Sequence, residues 1–324
     1  MKAIRVHEPG GAEALRYEDV PDPEPHAGEV VVRVEAAGVN FIDVYFREGV
    51  YKSPSLPFTL GQEAAGTVEA VGPGVDGIAA GDRVAWSGVR GTYAEKAVAP
   101  ADRLVKLPDG VTARQGAAVM LQGMTAQYLA CSTYPLKKGD VCLIHAAAGG
   151  VGQLLCQIAK IRGARVIGTT STPEKARIAR DAGADEVILY PEQDFVAETR
   201  RLTAGKGVQV VYDGVGKATF DDSLTCLAPR GVLALFGASS GAVPPVDPMR
   251  LAHGGSLFLT RPSLATYSAD RQELLERAAD VFDQVRSGAL DVRVGARYPL
   301  AEAARAHEDL EARRTTGKAL ILPR

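Results

Sequence analysis

Val141-Cys142-Leu143-Ile144-His145-Ala146-Ala147-Ala148-Gly149-Gly150-Val151-Gly152 is the stretch whose reading decides the fold. An apolar run feeds a turn of small residues that opens into a helical pattern, so the stretch reads as a strand, a phosphate loop and a helix. The turn has the form Ala146-x-x-Gly149-x-x-Gly152, whose small residues let the backbone turn tightly, approach a pyrophosphate and pack the helix on the sheet. The helix start would aim unpaired N–H groups and a positive dipole end at the phosphates. Glycine spacing alone is weak in a chain with 35 glycines, and the context strengthens it. Leu154, Leu155, Ile158 and Ile161 keep helical spacing, Gly163 stops the helix, and 164–168 supplies a second strand. The pattern predicts a dinucleotide held by Ala148, Gly149, Gly150, Val151 and Gly152.

Downstream, strands and helices alternate. Thr172-Pro173-Glu174 has an N-cap residue followed by proline at the first helical position, and that helix stops at Gly183. Strands are expected at 186–189, 208–212, 231–236 and 256–260, with helices from about residue 194 and around 220–227. Such alternation means a doubly wound parallel sheet with its crevice at the strand carboxyl ends. Upstream, to about residue 110, short strands at 29–35, 66–71, 82–86 and 93–98 are punctuated by Pro21-Asp22-Pro23, Gly72-Pro73-Gly74 and Gly81-Asp82. These predict a barrel-like antiparallel lobe. Thr112 and Gln115 have capping-box spacing before an alanine-rich helical run, expected to mark the boundary. The tail from about residue 270 holds two helical patterns and a final strand at 319–322, assigned back to the first lobe.

The 324 residues suffice for two cores, and 46% hydrophobic with 23% charged residues is ordinary for a globular protein. Thirty-seven basic against 39 acidic residues, a net charge of −2, supply no bulk attraction for nucleic acid or acidic membranes. No apolar run has transmembrane length and the start of the chain lacks a signal-peptide core, so no membrane association is expected. Cys131, Cys142, Cys156 and Cys226 lack C-x-x-C spacing, read as reduced thiols, and place the protein in the cytoplasm.

The cofactor's identity follows from the end of the second strand. An NAD site places a carboxylate there, about 20 residues past the glycine turn, to accept from the ribose 2′-hydroxyl. This chain has Thr169-Thr170-Ser171-Thr172, and hydroxyls with the nearby Lys175 suit a 2′-phosphate that a carboxylate would repel. NADPH is the expected cofactor, with Thr170, Lys175 and Tyr190 as contacts. The competing accounts are a solvated helix residue for Lys175 and a plain strand end for Tyr190.

Taken together, the chain resembles the medium-chain dehydrogenase/reductase superfamily, in its zinc-free, zeta-crystallin-like quinone oxidoreductase branch. The resemblance spans essentially the full length. Its carriers are the run from Gly38-Val39-Asn40 to Gly49-Val50-Tyr51, Gly61-Gln62-Glu63-Ala64-Ala65-Gly66, Leu121-Gln122-Gly123-Met124-Thr125-Ala126, the glycine loop, and Arg261-Pro262-Ser263. It implies an α/β architecture with a GroES-like β-rich catalytic domain at 1–122 and 263–324 and a Rossmann domain at 123–262. Zinc relatives place Cys near Asn40 and His at Gln62, and carry a four-Cys loop. None of these is present, so no metal is expected.

The implied reaction is hydride transfer from NADPH to a small quinone in the cleft between the lobes. By resemblance Asn40 sits beside the nicotinamide, and Thr125 touches its ribose. Tyr45 and Tyr51 hydrogen-bond or stack on the quinone and supply a proton, or merely pack. Val215, Phe236, Gly237 and Ser239 face the cofactor from strand ends, while Arg261 and Lys318 reach it from far along the sequence. Asp43 reads as an anchor and Glu63 as structural. The rivals are an enoyl or alkenal reductase on the same scaffold and a nucleotide-binding structural or RNA-binding protein. Residues 256–260 as an edge strand pairing across a two-fold axis predict a homodimer. The Gly237-Ala238-Ser239-Ser240-Gly241 run matches a serine-hydrolase elbow, but Pro244-Pro245 blocks the helix that an elbow needs.

Overall fold

The computed structural model describes residues 1–52 and 55–323. The chain divides into two compact units, one of residues 1–122, 270–288 and 292–324, the other of 123–269 and 289–291.

In the second unit a six-stranded parallel sheet runs in the order Glu186–Leu189, Arg165–Thr170, Val141–Ile144, Val208–Asp213, Leu227–Leu235, Phe258–Thr260. In chain order that is third, second, first, fourth, fifth, sixth. The order reverses between the first and fourth strands, where an open α/β sheet binds its ligand. Ile167, Leu143, Val211, Leu233 and Leu259 stand in register across it, so the apolar runs read in the sequence become one continuous layer. The inner strands are largely buried on both faces, which is why they read as mostly apolar runs, while the edge strands Glu186–Leu189 and Phe258–Thr260 are only partly buried.

The expected signals are present in detail. Gly149 caps the helix Gly150–Ile161, and Gly163, at φ 80°, ends it with the Ala164 N–H donating to Ala159 O at 3.0 Å. Thr172 accepts from the Lys175 N–H at 3.2 Å and Pro173 opens the helix Pro173–Asp181. After Leu235 the next helix is Met249–His253, so no nucleophile elbow forms.

In the first unit seven strands make the main sheet. Val294–Pro299, Lys318–Leu322, Glu29–Val39, Glu63–Val71, Arg83–Ser87 and Val105–Lys106 follow one another, and Lys96–Pro100 pairs with Glu29–Val39. Lys2–Val6 lies between Leu15–Asp19 and Phe58–Thr59 in a smaller sheet. Valines of Glu29–Val39, Trp86, Tyr93, Leu104 and Ile321 share the core.

The helix Ala113–Val119 is capped as expected, with Gln115 Oε1 accepting from the Thr112 N–H at 2.9 Å. It packs inside this unit, and the division falls later, at Gln122/Gly123. Residues 263–269 group with the second unit: Ser263 caps the turn Leu264–Tyr267, and Tyr267 stacks on Tyr128 with centroids 4.3 Å apart. Among the described residues no helix is long and apolar enough to cross a membrane.

Candidate active site

The glycine loop follows the first strand of the second unit. Ala146 takes φ 51°, and a Cβ on Gly152 would lie 2.3 Å from Ala146 O and 2.8 Å from Ala147 Cα. Only glycine permits this crossing of loop and helix. Gln153 Nε2 donates to Ala148 O at 2.6 Å and holds the loop's far side. Gly237, on the turn after the fifth strand, is equally confined, since its Cβ would meet Gly214 O at 2.4 Å. Ser239 N–H donates to Gly214 O at 3.3 Å, which ties its turn to that of Val215.

A buried network unread in the sequence joins these turns. His145 lies between Thr169 Oγ1 at 3.0 Å and Ser223 Oγ at 2.9 Å. Ser223 and Thr219 hydroxyls both donate to Asp213 Oδ2, while Asp213 Oδ1 accepts from the N–H groups of Val215 at 2.7 Å and Gly216 at 3.0 Å. Ser223 has one proton and gives it to Asp213, so His145 Nε2–H donates to Ser223 and Nδ1 accepts from Thr169. Burial holds the His145 imidazole below its ordinary range, in the neutral form that this pattern needs.

NADPH fits this unit on two structural grounds: the loop and the helix start cross so closely that a Cβ on Gly152 would strike Ala146 O, and Thr170 Oγ1 is buried with no hydrogen-bond partner among the described residues. A buried hydroxyl without a partner is destabilising, and a phosphate oxygen would satisfy it. Lys175 stands in the first turn of the next helix, and Tyr190, 41% exposed, follows the third strand with its N–H on Thr170 O at 3.2 Å. These three expected contacts are thus gathered at one strand end. Arg261 is exposed, and its guanidinium donates to Pro262 O at 3.4 Å. Thr125 is buried in the helix Gln122–Tyr128.

In the first unit, Asn40 precedes the short helix Phe41–Arg47 and is held from both ends. Its backbone N–H donates to Asp43 Oδ2 at 3.0 Å. Its side chain turns away from the helix: Nδ2 donates to Glu63 Oε2 at 2.9 Å and to Gly38 O at 3.2 Å, while Oδ1 accepts from Lys318 Nζ at 2.8 Å. Lys318 also donates to Glu63 Oε2 at 2.6 Å and to Val39 O at 3.3 Å, which occupies all three of its protons. Glu63 Oε1 accepts from the Leu121 N–H at 2.6 Å. A Cβ on Gly38 would fall 2.2 Å from Glu63 Oε2, so Gly38 is what lets this carboxylate pass. Glu63, expected to be structural, is the centre of this polar cluster, and Lys318 spends its protons within it.

Asp43 extends the network. Tyr93 Oη lies 3.0 Å from Asp43 Oδ2 and 3.3 Å from His307 Nε2, and Arg47 Nη1 lies 3.2 Å from His307 Nδ1. Arginine only donates, so His307 Nδ1 accepts, Nε2–H donates to Tyr93, and Tyr93 donates to Asp43. Arg47 is fixed in turn by a fork to Glu311, at 2.8 and 2.9 Å. Burial pushes the Asp43 carboxyl up to about 7, with the Tyr93 and Asn40 hydrogen bonds and the Lys318 charge opposing. Burial, assisted by Arg47, pushes His307 down to about 3.

Tyr45 and Tyr51 pack edge to face with ring centroids 5.4 Å apart, and Tyr51 meets Phe46 at 5.6 Å. Tyr51 is 39% exposed. Among the described residues no group of three His, Cys, Asp or Glu side chains is arranged to hold a metal.

The two halves of the chain match known domain families. Residues 26–109 match the alcohol dehydrogenase GroES-like domain, and residues 150–280 match the zinc-binding dehydrogenase family. A mycobacterial structure complexed with NADPH is 54% identical and covers 100% of both chains with a TM-score of 0.97. The Escherichia coli quinone oxidoreductase complexed with NADPH is 45% identical, with 100% coverage of both chains and a TM-score of 0.98. A 2-haloacrylate reductase from Burkholderia is 43% identical over 100% of this chain and 99% of its own. Two domains of these kinds, with a glycine-loop nucleotide site in the second, define a medium-chain dehydrogenase/reductase. The chain belongs to the zeta-crystallin-like quinone oxidoreductase branch of that superfamily.

Proposed function

We propose that this protein is an NADPH-dependent quinone reductase. The observation that carries the cofactor assignment is the strand end of Thr170, a buried unpartnered hydroxyl next to Lys175 with no carboxylate in the position where an NAD site places one. The quinone assignment rests on membership of the branch, full-length likeness to the E. coli enzyme and the Tyr45–Tyr51 aromatic pair.

Bound NADPH supplies a hydride from C4 of its nicotinamide. The chain holds and aims it. Ala148, Gly149, Gly150, Val151 and Gly152 cradle the pyrophosphate; Thr170, Lys175 and Tyr190 take the 2′-phosphate side; Val215, Phe236, Gly237, Ser239 and Arg261 line the remainder. Thr125 contacts the nicotinamide ribose, and Asn40, backed by Lys318, sets the ring's position. Tyr51 stacks on the quinone and Tyr45 braces it, and a tyrosine hydroxyl or water supplies the proton of the hydroquinone.

The test is turnover with a small quinone under NADPH. Asn40→Ala combined with Tyr51→Leu lowers kcat/KM about 10-fold or more if these residues act as assigned; unchanged turnover removes both from the mechanism, and Tyr51→Phe, which keeps the ring, tells whether its hydroxyl is needed. The 2-haloacrylate reductase relative favours a second reading, reduction of an activated C=C bond. Rates with a quinone and an α,β-unsaturated carboxylate, measured side by side, separate the two.

Phe258, 60% exposed on the edge strand Phe258–Thr260, suits a homodimer formed by strand pairing across a two-fold axis. A monomeric mass in sedimentation would reject it. Four free cysteines, three of them buried, suit a cytoplasmic protein.

A further inference from the structure

Gln122 opens the helix Gln122–Tyr128 one turn before Thr125, so both side chains lie on one helix face. Its Nε2 donates to Asn40 Oδ1 at 3.4 Å, and its Oε1 is buried with no partner among the described residues. Nitrogen and oxygen of a side-chain amide are interchangeable by shape, so the neighbours must fix which end is which.

Here they do. Lys318 Nζ can only donate, so the Asn40 atom 2.8 Å from it is Oδ1; the Glu63 carboxylate accepts, so the atom 2.9 Å from it is Nδ2. With Asn40 Oδ1 an acceptor, the end of Gln122 that faces it is Nε2. The other end is then an oxygen, and this oxygen has nothing to accept. The Glu63–Lys318 pair, buried at 0% and 2% exposure, thus dictates through Asn40 the polarity that Gln122 presents.

We propose that Gln122 Oε1 accepts a hydrogen bond from the carboxamide amino group of the reduced nicotinamide. The assignment deepens the NADPH reading and rests on it. An unsatisfied acceptor calls for an N–H or O–H donor. An oxidised quinone offers only carbonyl oxygens, and an α,β-unsaturated carboxylate only acceptors at neutral pH, so neither substrate answers it. On the nicotinamide end the amino group is the one group that only donates. A ribose hydroxyl adapts to donors and acceptors alike and would impose no need for a fixed amide orientation. Held by Gln122, the carboxamide fixes which face of the ring is turned toward the acceptor.

The experiment compares dissociation constants, by calorimetry, for NADPH and for the reduced 3-acetylpyridine analogue, which replaces the amino group by methyl and keeps the carbonyl. Wild type should bind NADPH about 5- to 10-fold more tightly than the analogue, the worth of one hydrogen bond. Gln122→Met should weaken NADPH by that factor, leave the analogue nearly unchanged and bring the ratio close to one. Because both constants are measured on the same protein, any loss of folded fraction cancels in the ratio. A ratio that Gln122→Met leaves intact overturns the assignment, as does equal weakening of both cofactors, which would point to a ribose hydroxyl. A change confined to the quinone KM overturns it in favour of the hydroquinone hydroxyl. Absence of NADPH binding in the wild type would refute the cofactor reading itself, a result distinct from these.

Discussion

Asp43 and His307 should make the pH dependence of stability separable by two conservative substitutions. Asp43 has its carboxyl raised from 3.8 to about 7, so the folded state keeps a proton that the unfolded chain has released. Its contribution to stability is fully present below pH 3.8 and is lost as pH rises to about 7, at about 1.4 kcal/mol per pH unit. His307 is lowered from 6.5 to about 3, so the unfolded chain binds a proton that the folded state refuses. Its contribution is present above pH 6.5 and is lost as pH falls toward 3, with the same slope and opposite sign. Between about pH 4 and 6.5 the two cancel in the wild type.

His307→Gln keeps an acceptor for Arg47 and a donor for Tyr93 while removing one slope. Asp43→Asn keeps an acceptor for Tyr93 and the Asn40 N–H while removing the other. From pH 4.5 to 6.5, relative to wild type, His307→Gln should lose about 3 kcal/mol and Asp43→Asn should gain about 3 kcal/mol, two pH units at the slope above. Trp86, the chain's one tryptophan and fully buried in the first unit, reports urea unfolding of the unit that holds both residues. Parallel pH profiles for the three proteins would refute the reasoning, since they would mean that neither group changes its proton affinity on folding.

Three further outcomes are expected. Lys318→Met leaves Glu63 charged and unpaired, so the same fluorescence should show a loss of about 3–5 kcal/mol, much of it recovered in Lys318→Met/Glu63→Gln. Thr170→Val and Lys175→Ala should each raise the NADPH dissociation constant about 5- to 10-fold in calorimetry while leaving that for NADH within a factor of two, because only NADPH carries the 2′-phosphate. Gly152→Ala should weaken NADPH about 10-fold or more with the Trp86 transition unmoved, since its methyl would meet Ala146 O within the glycine loop, and Gly152 and Ala146 both belong to the second unit whereas Trp86 belongs to the first.

What was legible in the sequence was what local chemistry determines. The second unit's inner strands, largely buried on both faces, advertise themselves as apolar runs, and the stops at Gly163 and Gly183 coincide with φ of 80° and 101°. Leu15–Asp19 escaped because only Leu15 is buried, and Val294–Pro299 because only Tyr298 is. Such edge strands take their conformation from their partners more than from their own pattern. The division of the site follows the same line. The proposed cofactor contacts in the glycine loop and at Thr170–Lys175 are contiguous in sequence and can be read from it. Glu63 and Lys318 pair across 255 positions, and Arg47 and His307 across 260, so no window of sequence contains the interaction. The trace they leave is a charged residue bordering an apolar run, in Gly61-Gln62-Glu63-Ala64-Ala65 and in Lys318-Ala319-Leu320-Ile321-Leu322.

The two polar chains of the first unit meet at Asn40, and each is directed by a cation. Arg47 drives one through His307 and Tyr93 to Asp43, which takes the Asn40 backbone N–H; Lys318 drives the other through the Asn40 amide to Gln122. Arginine and lysine have no acceptor, so neither chain can reverse its sense without leaving a buried donor unpaired. A residue tied at backbone and side chain by irreversible donors has one orientation available to it. If Asn40 sets the ring's position as proposed, rigid placement of this kind is what hydride transfer demands, because misplacement by 1 Å lowers rate by about 100-fold. The buried charges near Asn40 are therefore best understood as determinants of direction. Replacing Lys318 by an apolar residue, together with a neutral Glu63, should restore much of the stability and still leave turnover low, because Asn40 Oδ1 would lose the cation that holds it and its amide would be oriented by Gly38 O alone.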